Sequence, residues 1–234
     1  MVQFIADQSF WALFPDAKLG VLLLKDCQNQ GVSSKEIKQL LIESHDKAKI
    51  YLTADNFSDN GVVQVYRQAY QQFKTKKGAR SSIEALLKRV ANGQTLPSIN
   101  PLVDIYNAAS LRFGLPVGAE DSDRFVGDLR LTITDGGDAF FLIGDDQNNP
   151  TLPNELCYKD DIGAVCRCLN WQDGDRTMVT EHTKNAFLII EALDAGGQER
   201  LQNALDFIES NAKMYLNANT AIYILDKETS HVTI

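Results

Sequence analysis

Two polar side chains three residues apart give the first indication of chemistry in this sequence. Asp104 and Asn107 lie within residues 100–107, and residues at this spacing share one face of a helix. Polar groups beside an apolar helical stripe either line a binding site or hold neighbouring segments of the chain. Both interpretations of Asp104 and Asn107 are therefore open at this point.

A second polar group surrounds Glu181, which stands between Thr180 and His182. A carboxylate next to an imidazole can take part in proton transfer, although an isolated glutamate at a strand end is usually solvated. The three histidines are scattered, so no catalytic triad is indicated locally. Signature motifs for nucleotide-binding loops, zinc peptidases and serine hydrolases are absent from the sequence.

The cysteines and the paired acids do not show metal-ligand spacing. No CxxC pair with matching histidines occurs, and the acidic pairs 121/123 and 145/146 lack the spacing of a calcium loop. We therefore expect no metal and no cofactor. The cysteines are expected to be reduced thiols, as in a cytosolic protein; they are Cys27, Cys157, Cys166 and Cys168.

Positive charge is concentrated in the first half of the chain. The net formal charge is −8, which argues mildly against a general nucleic-acid binder, but residues 1–118 carry +4 and residues 119–181 carry −9. Such a basic segment is either a solvated face or a contact for the phosphates of an RNA. Its members are Lys74, Lys76, Lys77, Arg80, Lys88 and Arg89.

The helix that carries Asp104 and Asn107 has clear predicted ends. Asn100 is a suitable N-cap and Pro101 suits the first helical position, while Gly114 and Pro116 stop the helix. Apolar periodicity predicts further helices from residue 34 to about 52, from 62 to 73, from 82 to 92 and from 201 to 215. Strands are predicted at residues 20–24, 128–134, 139–143, 155–158, 164–169, 177–180 and 186–192.

This order of elements predicts an α+β fold in one continuous domain, residues 1–234. The domain has an irregular or partly helical lead-in over residues 1–18, a helix-rich half (1–118) and a strand-rich half (119–195). The segments 128–134 and 139–143 are predicted to form a hairpin. Residues 196–234 are predicted to form a helix and a second hairpin. The N-terminus does not resemble a signal peptide and no membrane span is predicted, so we expect a cytoplasmic protein.

Two motifs resemble a known family. Residues 99–107, continued by residues 114–121, resemble the N-x-x-V-D-x-x-N and G-x-P-x-H-A-x-D motifs of the editing domain, or B3/B4 domain, of the bacterial phenylalanyl-tRNA synthetase beta subunit. Residues 179–185 resemble the V-[TS]-E-x-T motif of that family. Residues 81–107 and 166–171 are similar to freestanding B3/B4 proteins, and the whole resemblance covers roughly residues 15–195.

The resemblance implies a three-layer α/β sandwich with mixed sheets and helices packed outside. It also implies hydrolysis of the ester of a mischarged aminoacyl-tRNA, typically tyrosine on the phenylalanine tRNA, at a junction of two modules. By position, Glu181 matches the glutamate that recognises the tyrosine hydroxyl, and Asn107 matches an asparagine beside the site. Tyr106 stands in place of a threonine, and Gly118 in place of a histidine.

We therefore predict a trans-editing hydrolase with Glu181 and Asn107 as catalytic residues, and not a complete ligase. Its partners would be aminoacyl-tRNA, with the amino-acid moiety in the pocket and the basic segment on the tRNA. The alternatives are a non-catalytic module that binds tRNA or an amino acid, and a hydrolase of another small ester or amide. The predicted pocket residues are Tyr106, Asp104, Gly118, Asn170, Thr180 and His182.

Overall fold

The computed structural model describes residues 2–234, so Met1 of the predicted lead-in lies outside the described residues. The helices are α1 (Gln8–Leu13), α2 (Lys35–Lys47), α3 (Gly61–Ala69), α4 (Ser82–Ala91), α5 (Pro101–Phe113) and α6 (Ala195–Leu216). The strands are β1 (Gln3–Ala6), β2 (Lys18–Lys25), β3 (Val117–Asp121), β4 (Leu129–Thr134), β5 (Glu155–Asp160), β6 (Gly163–Arg167), β7 (Gln172–Asp173), β8 (Ala186–Ala192), β9 (Asn219–Leu225) and β10 (His231–Thr233).

Across the described range these strands form two sheets. The larger sheet has the order β10-β1-β4-β5-β6-β7 and contains a parallel pair, β1 with β4. The smaller sheet has the order β3-β8-β2-β9 and is antiparallel throughout. The predicted α+β class is confirmed.

The two sheets share an apolar core, and the helices cover the far side of the smaller sheet. Along β8, Phe187 and Ile189 join the core between the sheets, whereas Leu188 and Ile190 join the core against α5 and α6. Successive side chains of a strand point to opposite faces, so a strand buried on both faces is apolar throughout. The resulting layers are sheet, sheet and helices.

Helix α5 is buried on two sides, and its ends follow the sequence prediction. The Asn100 side chain accepts from the Val103 amide at 3.0 Å, and Gly114 closes the helix with a φ of 61°. Leu102 packs toward the smaller sheet, while Leu111 packs toward α2, α3 and α4. The helix therefore needs apolar residues on most of its circumference.

Both predicted hairpins are wrong. Strand β4 pairs with β5, and residues 139–143 form only isolated bridges. Strands β9 and β10 enter different sheets, β9 beside β2 and β10 beside β1. A turn signal predicts that the two segments on either side of it pair with each other. Here each strand pairs instead with a strand that is more distant in the sequence.

Three smaller expectations also need correction. The lead-in contains helix α1, as a partly helical segment would, but it also contains a strand that was not predicted, β1. Residues 177–180 do not form a strand, although Met178 makes one bridge to Glu120. Strand β3 was missed, because after Gly114 and Pro116 its five residues carry too few β-branched or aromatic side chains to give a strand signal.

Glu191 on β8 connects the two sheets by hydrogen bonds. The Tyr158 hydroxyl, from the larger sheet, donates to Glu191 Oε1 at 2.7 Å, and Asn170 Nδ2 donates to Oε2 at 2.6 Å. The Tyr66 hydroxyl of α3 donates to the Glu191 backbone oxygen at 2.7 Å. Burial raises the pKa of Glu191 to about 8, although these donors oppose the shift.

The raised pKa of Glu191 predicts that stability falls as the pH rises from about 4.5 to about 8. In this window the folded state keeps a proton that the unfolded state releases, so the free energy of unfolding decreases with pH. The change from this residue is on the order of 5 kcal/mol at most. Urea unfolding of the wild-type protein at several pH values measures it.

Glu191→Gln is expected to flatten that pH dependence, because glutamine does not titrate and Asn170 can reverse its amide to pair with it. Glu181→Gln, at an exposed position, is the control and should keep the wild-type slope. Equal pH slopes for Glu191→Gln and the wild type would contradict the assignment.

Candidate functional site

Three polar side chains meet between the two sheets, Glu120, Cys166 and Asp173. Together with Tyr106 of α5, whose hydroxyl senses their charge, they form a group that we call the inter-sheet centre. Val117 and Ala119 of β3 face the helices, so strand alternation turns Gly118 and Glu120 toward the larger sheet. There, Cys166 of β6 is in register with Asp173 of β7. A carboxylate oxygen of Glu120, one of Asp173 and the Cys166 sulfur all lie within 4.8 Å of one another.

Glu120 is the unusual group of this centre. It is 5% exposed, and neither of its carboxylate oxygens has a hydrogen-bond partner among the described residues. Burial and the negative charge of Asp173 hold the pKa of Glu120 well above its usual range. The nearby Thr177 hydroxyl and then Arg176 oppose this shift, but the Arg176 guanidinium binds Asp160 at 2.8 and 2.9 Å. The carboxyl group of Glu120 is therefore available for a ligand.

Tyr106 links the helical layer to the inter-sheet centre. Its ring packs against the core between α5 and the smaller sheet, and the side chain is half-buried. Burial, followed by the charges of Asp173 and Glu120, holds the pKa of the Tyr106 hydroxyl well above its usual range. The hydroxyl is therefore neutral near pH 7 and able to donate a hydrogen bond.

Gly118 leaves room for Asn170. A Cβ atom at position 118 would lie 1.9 Å from Asn170 Oδ1, and Asn170 is held in place by Glu191. Asn170 also has a φ of 49°, a conformation that asparagine adopts more readily than most residues. The histidine that the resemblance expects at position 118 is thus replaced by a glycine, and Asn170 fills the adjacent space.

Asp104 holds the loops at the start of α5. It is fully buried, and it accepts from the Ser33 and Ser98 hydroxyls at 2.5 Å each and from the Ile99 amide at 2.9 Å. Its carboxylate is therefore engaged by the chain itself. These contacts favour the structural interpretation of Asp104 that the sequence left open.

Glu181 and His182 form the tip of a tight turn. The Thr180 amide donates to Thr183 Oγ1 at 2.9 Å, and the Thr183 hydroxyl donates to Asp121 Oδ2 at 2.9 Å. The threonines point inward, so the side chains between them point out, with 63% of Glu181 and 86% of His182 exposed.

This turn lines a surface pocket of about 400 Å³, which we call the turn pocket. Asn29 connects it to α5, because Asn29 Nδ2 donates to the Thr180 oxygen and Asn29 Oδ1 accepts from the Leu102 amide, both at 2.8 Å. The described lining of the pocket is Asp26, Cys27, Gln28, Asn29, Gln30, Glu181, His182, Thr183 and Lys184.

The predicted site residues thus fall into two groups. Tyr106, Gly118 and Asn170 lie at or beside the inter-sheet centre. Glu181 and His182 line the turn pocket, with Thr180 at the base of the turn. Asn107 is half-buried on α5 and does not belong to the described lining of the turn pocket.

The residues of the basic segment also fall into two groups, one in a groove beside α4 and one in the loop before that helix. Arg80, Lys88 and Arg89 line a groove of about 480 Å³ beside α4, where the Lys88 ammonium lies 4.7 Å from the centroid of the Phe57 ring. Lys74 and Lys77 are exposed in the loop before it. In the same loop, Lys76 Nζ donates to the Asn149 oxygen at 3.4 Å, and burial lowers its pKa.

Sequence reasoning missed Glu120, Cys166 and Asp173 as candidate site residues. They come from three strands in two sheets, and no spacing between them repeats a known motif. The one local signal was the position of Glu120, two residues after Gly118 and therefore on the same face of a strand.

The architecture and this polar centre define the class of protein: two sheets packed face to face, a helical layer on one side, and polar side chains between the sheets. A family model described as "B3/4 domain" matches residues 65–218. The chain therefore belongs to the B3/4 domain family, and the predicted resemblance is confirmed. The matched range contains both motifs and every residue of the inter-sheet centre.

One solved structure that is similar is an N-terminal fragment of the phenylalanyl-tRNA synthetase beta-subunit from Pyrococcus horikoshii. The identity is 12%, the TM-score is 0.48, and the similarity covers 94% of this chain and 50% of that chain. This chain thus spans about half the length of that fragment. Among curated proteins, none matches this sequence.

The contact at Gly118 predicts the effect of adding one methyl group there. Gly118→Ala should destabilise the fold by roughly 1–3 kcal/mol, because Asn170 must leave its bond to Glu191 or strain its backbone. Gly61→Ala is the matched control, since nothing lies within 4 Å of its Cβ position, and it should be neutral or slightly stabilising. Chemical denaturation measures both, and equal stability of the two variants would contradict the proposed packing.

Proposed function

We propose that this B3/4 domain hydrolyses the ester bond of mischarged aminoacyl-tRNA. The observation that carries the proposal is the buried carboxyl group of Glu120, which makes no hydrogen bond among the described residues, together with the half-buried Tyr106 hydroxyl, whose pKa the charge of Glu120 helps to raise. Buried polar groups are normally hydrogen-bonded. Such a group next to an accessible donor is therefore typical of a ligand site.

The chemistry needs little from the protein, because an aminoacyl ester is already activated. Hydrolysis requires a positioned water and a donor for the oxyanion that develops at the carbonyl. The neutral Tyr106 hydroxyl is suited to be that donor. Asn107, the next residue of α5, is proposed to position the substrate or the water through its amide.

Glu181 is proposed to select the substrate from the exposed turn. Asn29 couples this turn to the first turn of α5, so a substrate bound at α5 lies near the turn pocket. The groove of Arg80, Lys88 and Arg89 is proposed to take tRNA phosphates. The free thiols of all four cysteines fit the proposed cytoplasmic location. Among the described helices, none is long and apolar enough to cross a membrane.

The second candidate function is a non-catalytic module that binds an amino acid or tRNA. The observation that favours it is the packing at Gly118, where Asn170 fills the space beside the expected histidine position. An amide cannot carry a proton as an imidazole does. In that case the same pocket would retain a ligand without hydrolysing it.

Amino-acid release from a panel of mischarged tRNAs tests the hydrolase. Tyr106→Phe should lower kcat by roughly 10²–10³-fold, the typical effect of losing one oxyanion donor. Asn107→Ala and Glu181→Ala should also reduce turnover. Tyr223→Phe, at an exposed tyrosine on β9, is the matched control.

If no ester in the panel turns over faster than in buffer, the hydrolase proposal fails. Melting shifts with amino acids or tRNA but without turnover would then favour the binding module. Equal turnover of small aminoacyl esters and aminoacyl-tRNA would indicate a hydrolase of small esters.

Salt-dependent binding of uncharged tRNA tests the basic groove. Arg89→Glu should weaken binding and lower the slope of log affinity against log salt by about 1, since one phosphate contact is lost. Lys77→Glu tests the loop before α4 in the same way. Lys227→Glu, exposed between β9 and β10, is the control. The same loss for Lys227→Glu and Arg89→Glu would contradict a specific tRNA face.

A further inference from the structure

The inter-sheet centre contains three side chains of types that bind metal ions, although the sequence predicted no metal. Glu120 comes from β3 of the smaller sheet, and Cys166 and Asp173 come from β6 and β7 of the larger sheet. We propose that Glu120, Cys166 and Asp173 form a site for a divalent metal ion of the zinc class.

The spacing of the three ligand atoms fits one small ion. They lie within 4.8 Å of one another. Zn²⁺ binds carboxylate oxygen at about 2.0–2.2 Å and cysteine sulfur at about 2.3 Å, so its ligand atoms are roughly 3–4 Å apart. Small side-chain rotations from the present positions would bring the three atoms to that separation.

The unpartnered Glu120 carboxylate points independently to a ligand. Both of its oxygens are buried and lack hydrogen bonds within the described residues. The Thr177 hydroxyl, fully buried on the neighbouring segment, makes no hydrogen bond of good geometry in the same range, although it lies near enough to Glu120 to oppose the rise that burial causes in the pKa of that carboxyl. The segment is held against β3, because the Asp121 amide donates to the Thr177 oxygen at 2.7 Å. Buried polar groups left without partners are costly, and an ion would satisfy the carboxylate.

The thiol favours a metal ion over an organic cation as the occupant. Sulfur is a weak hydrogen-bond acceptor for an ammonium group, but a thiolate is a strong ligand for zinc and related ions. The nearby positive side chain, Arg176, is already bound to Asp160. A bound divalent ion would therefore offset two of the three negative charges of Glu120, Asp173 and a deprotonated Cys166.

Three protein ligands would leave one position of a tetrahedral ion for water, as in catalytic zinc sites. A metal-bound water is a good nucleophile near neutral pH. This consequence rests on the proposed hydrolase function, whereas binding of the ion does not.

Cobalt substitution tests the site on the full chain. Wild-type protein is dialysed against Co²⁺, and the bound metal and the near-ultraviolet thiolate-to-cobalt absorption are measured. We expect about one Co²⁺ per chain, displaced by Zn²⁺, with a clear thiolate band. Cys166→Ser should abolish the band, and Cys157→Ser, at another buried thiol on β5, should keep it.

Glu120→Gln and Asp173→Asn should each weaken Co²⁺ binding by more than about tenfold, the lower end of what even an outer-shell partner contributes. Glu120→Gln preserves shape and thiol, so it tests the site even if Cys166→Ser does not fold. Thermal unfolding verifies that each variant is native.

The proposal is overturned if the wild type binds no Co²⁺, if the band survives Cys166→Ser, or if Glu120→Gln binds Co²⁺ like the wild type. It is also overturned if amino-acid esters stabilise the protein through Glu120 while Co²⁺ does not bind, which would indicate an ammonium group as the occupant. Metal binding without any ester turnover would support the site and refute only the hydrolase. Ester turnover by a protein that binds no Co²⁺ would support the hydrolase and refute only the metal site.

Discussion

The hydrogen bonds to Glu191 are the contact on which the arrangement between the sheets depends. Two largely apolar faces meet there, and Glu191 can be buried only because Tyr158 and Asn170 donate to its carboxyl oxygens. The same bonds place Asn170 over β3. Position 118 must then be a glycine, because any Cβ would collide with Asn170.

This packing leaves Glu120 facing a small polar space without a partner. Gly118 of β3 has no side chain, and Asn170 occupies the space where a Cβ atom would lie. Glu120 is the next residue on the same face, and its carboxyl group points toward the larger sheet. Cys166 and Asp173 of the larger sheet lie opposite this carboxyl group. The inter-sheet centre is thus a consequence of how the sheets are joined.

Helix α5 relates this centre to the turn at Glu181. Asp104 accepts a hydrogen bond from the loop before α5, and Asn29 joins the first turn of α5 to Thr180. Tyr106 reaches the inter-sheet centre from the same helix. A ligand at α5 would therefore be near both groups of predicted site residues, although the described structure places Tyr106 and Glu181 in different surroundings.

The sequence by itself determined the local features. The N-cap at Asn100 and the glycine stop at Gly114 form as predicted, because capping depends on residues only a few positions apart. The motifs around Asn107 and Glu181 also indicated the family. The tertiary structure decided the partners of β4, β9 and β10, the exposure of Glu181 and the meeting of Glu120 with Cys166 and Asp173. These depend on contacts between distant segments, and the spacing of residues along the chain does not record which strands become neighbours.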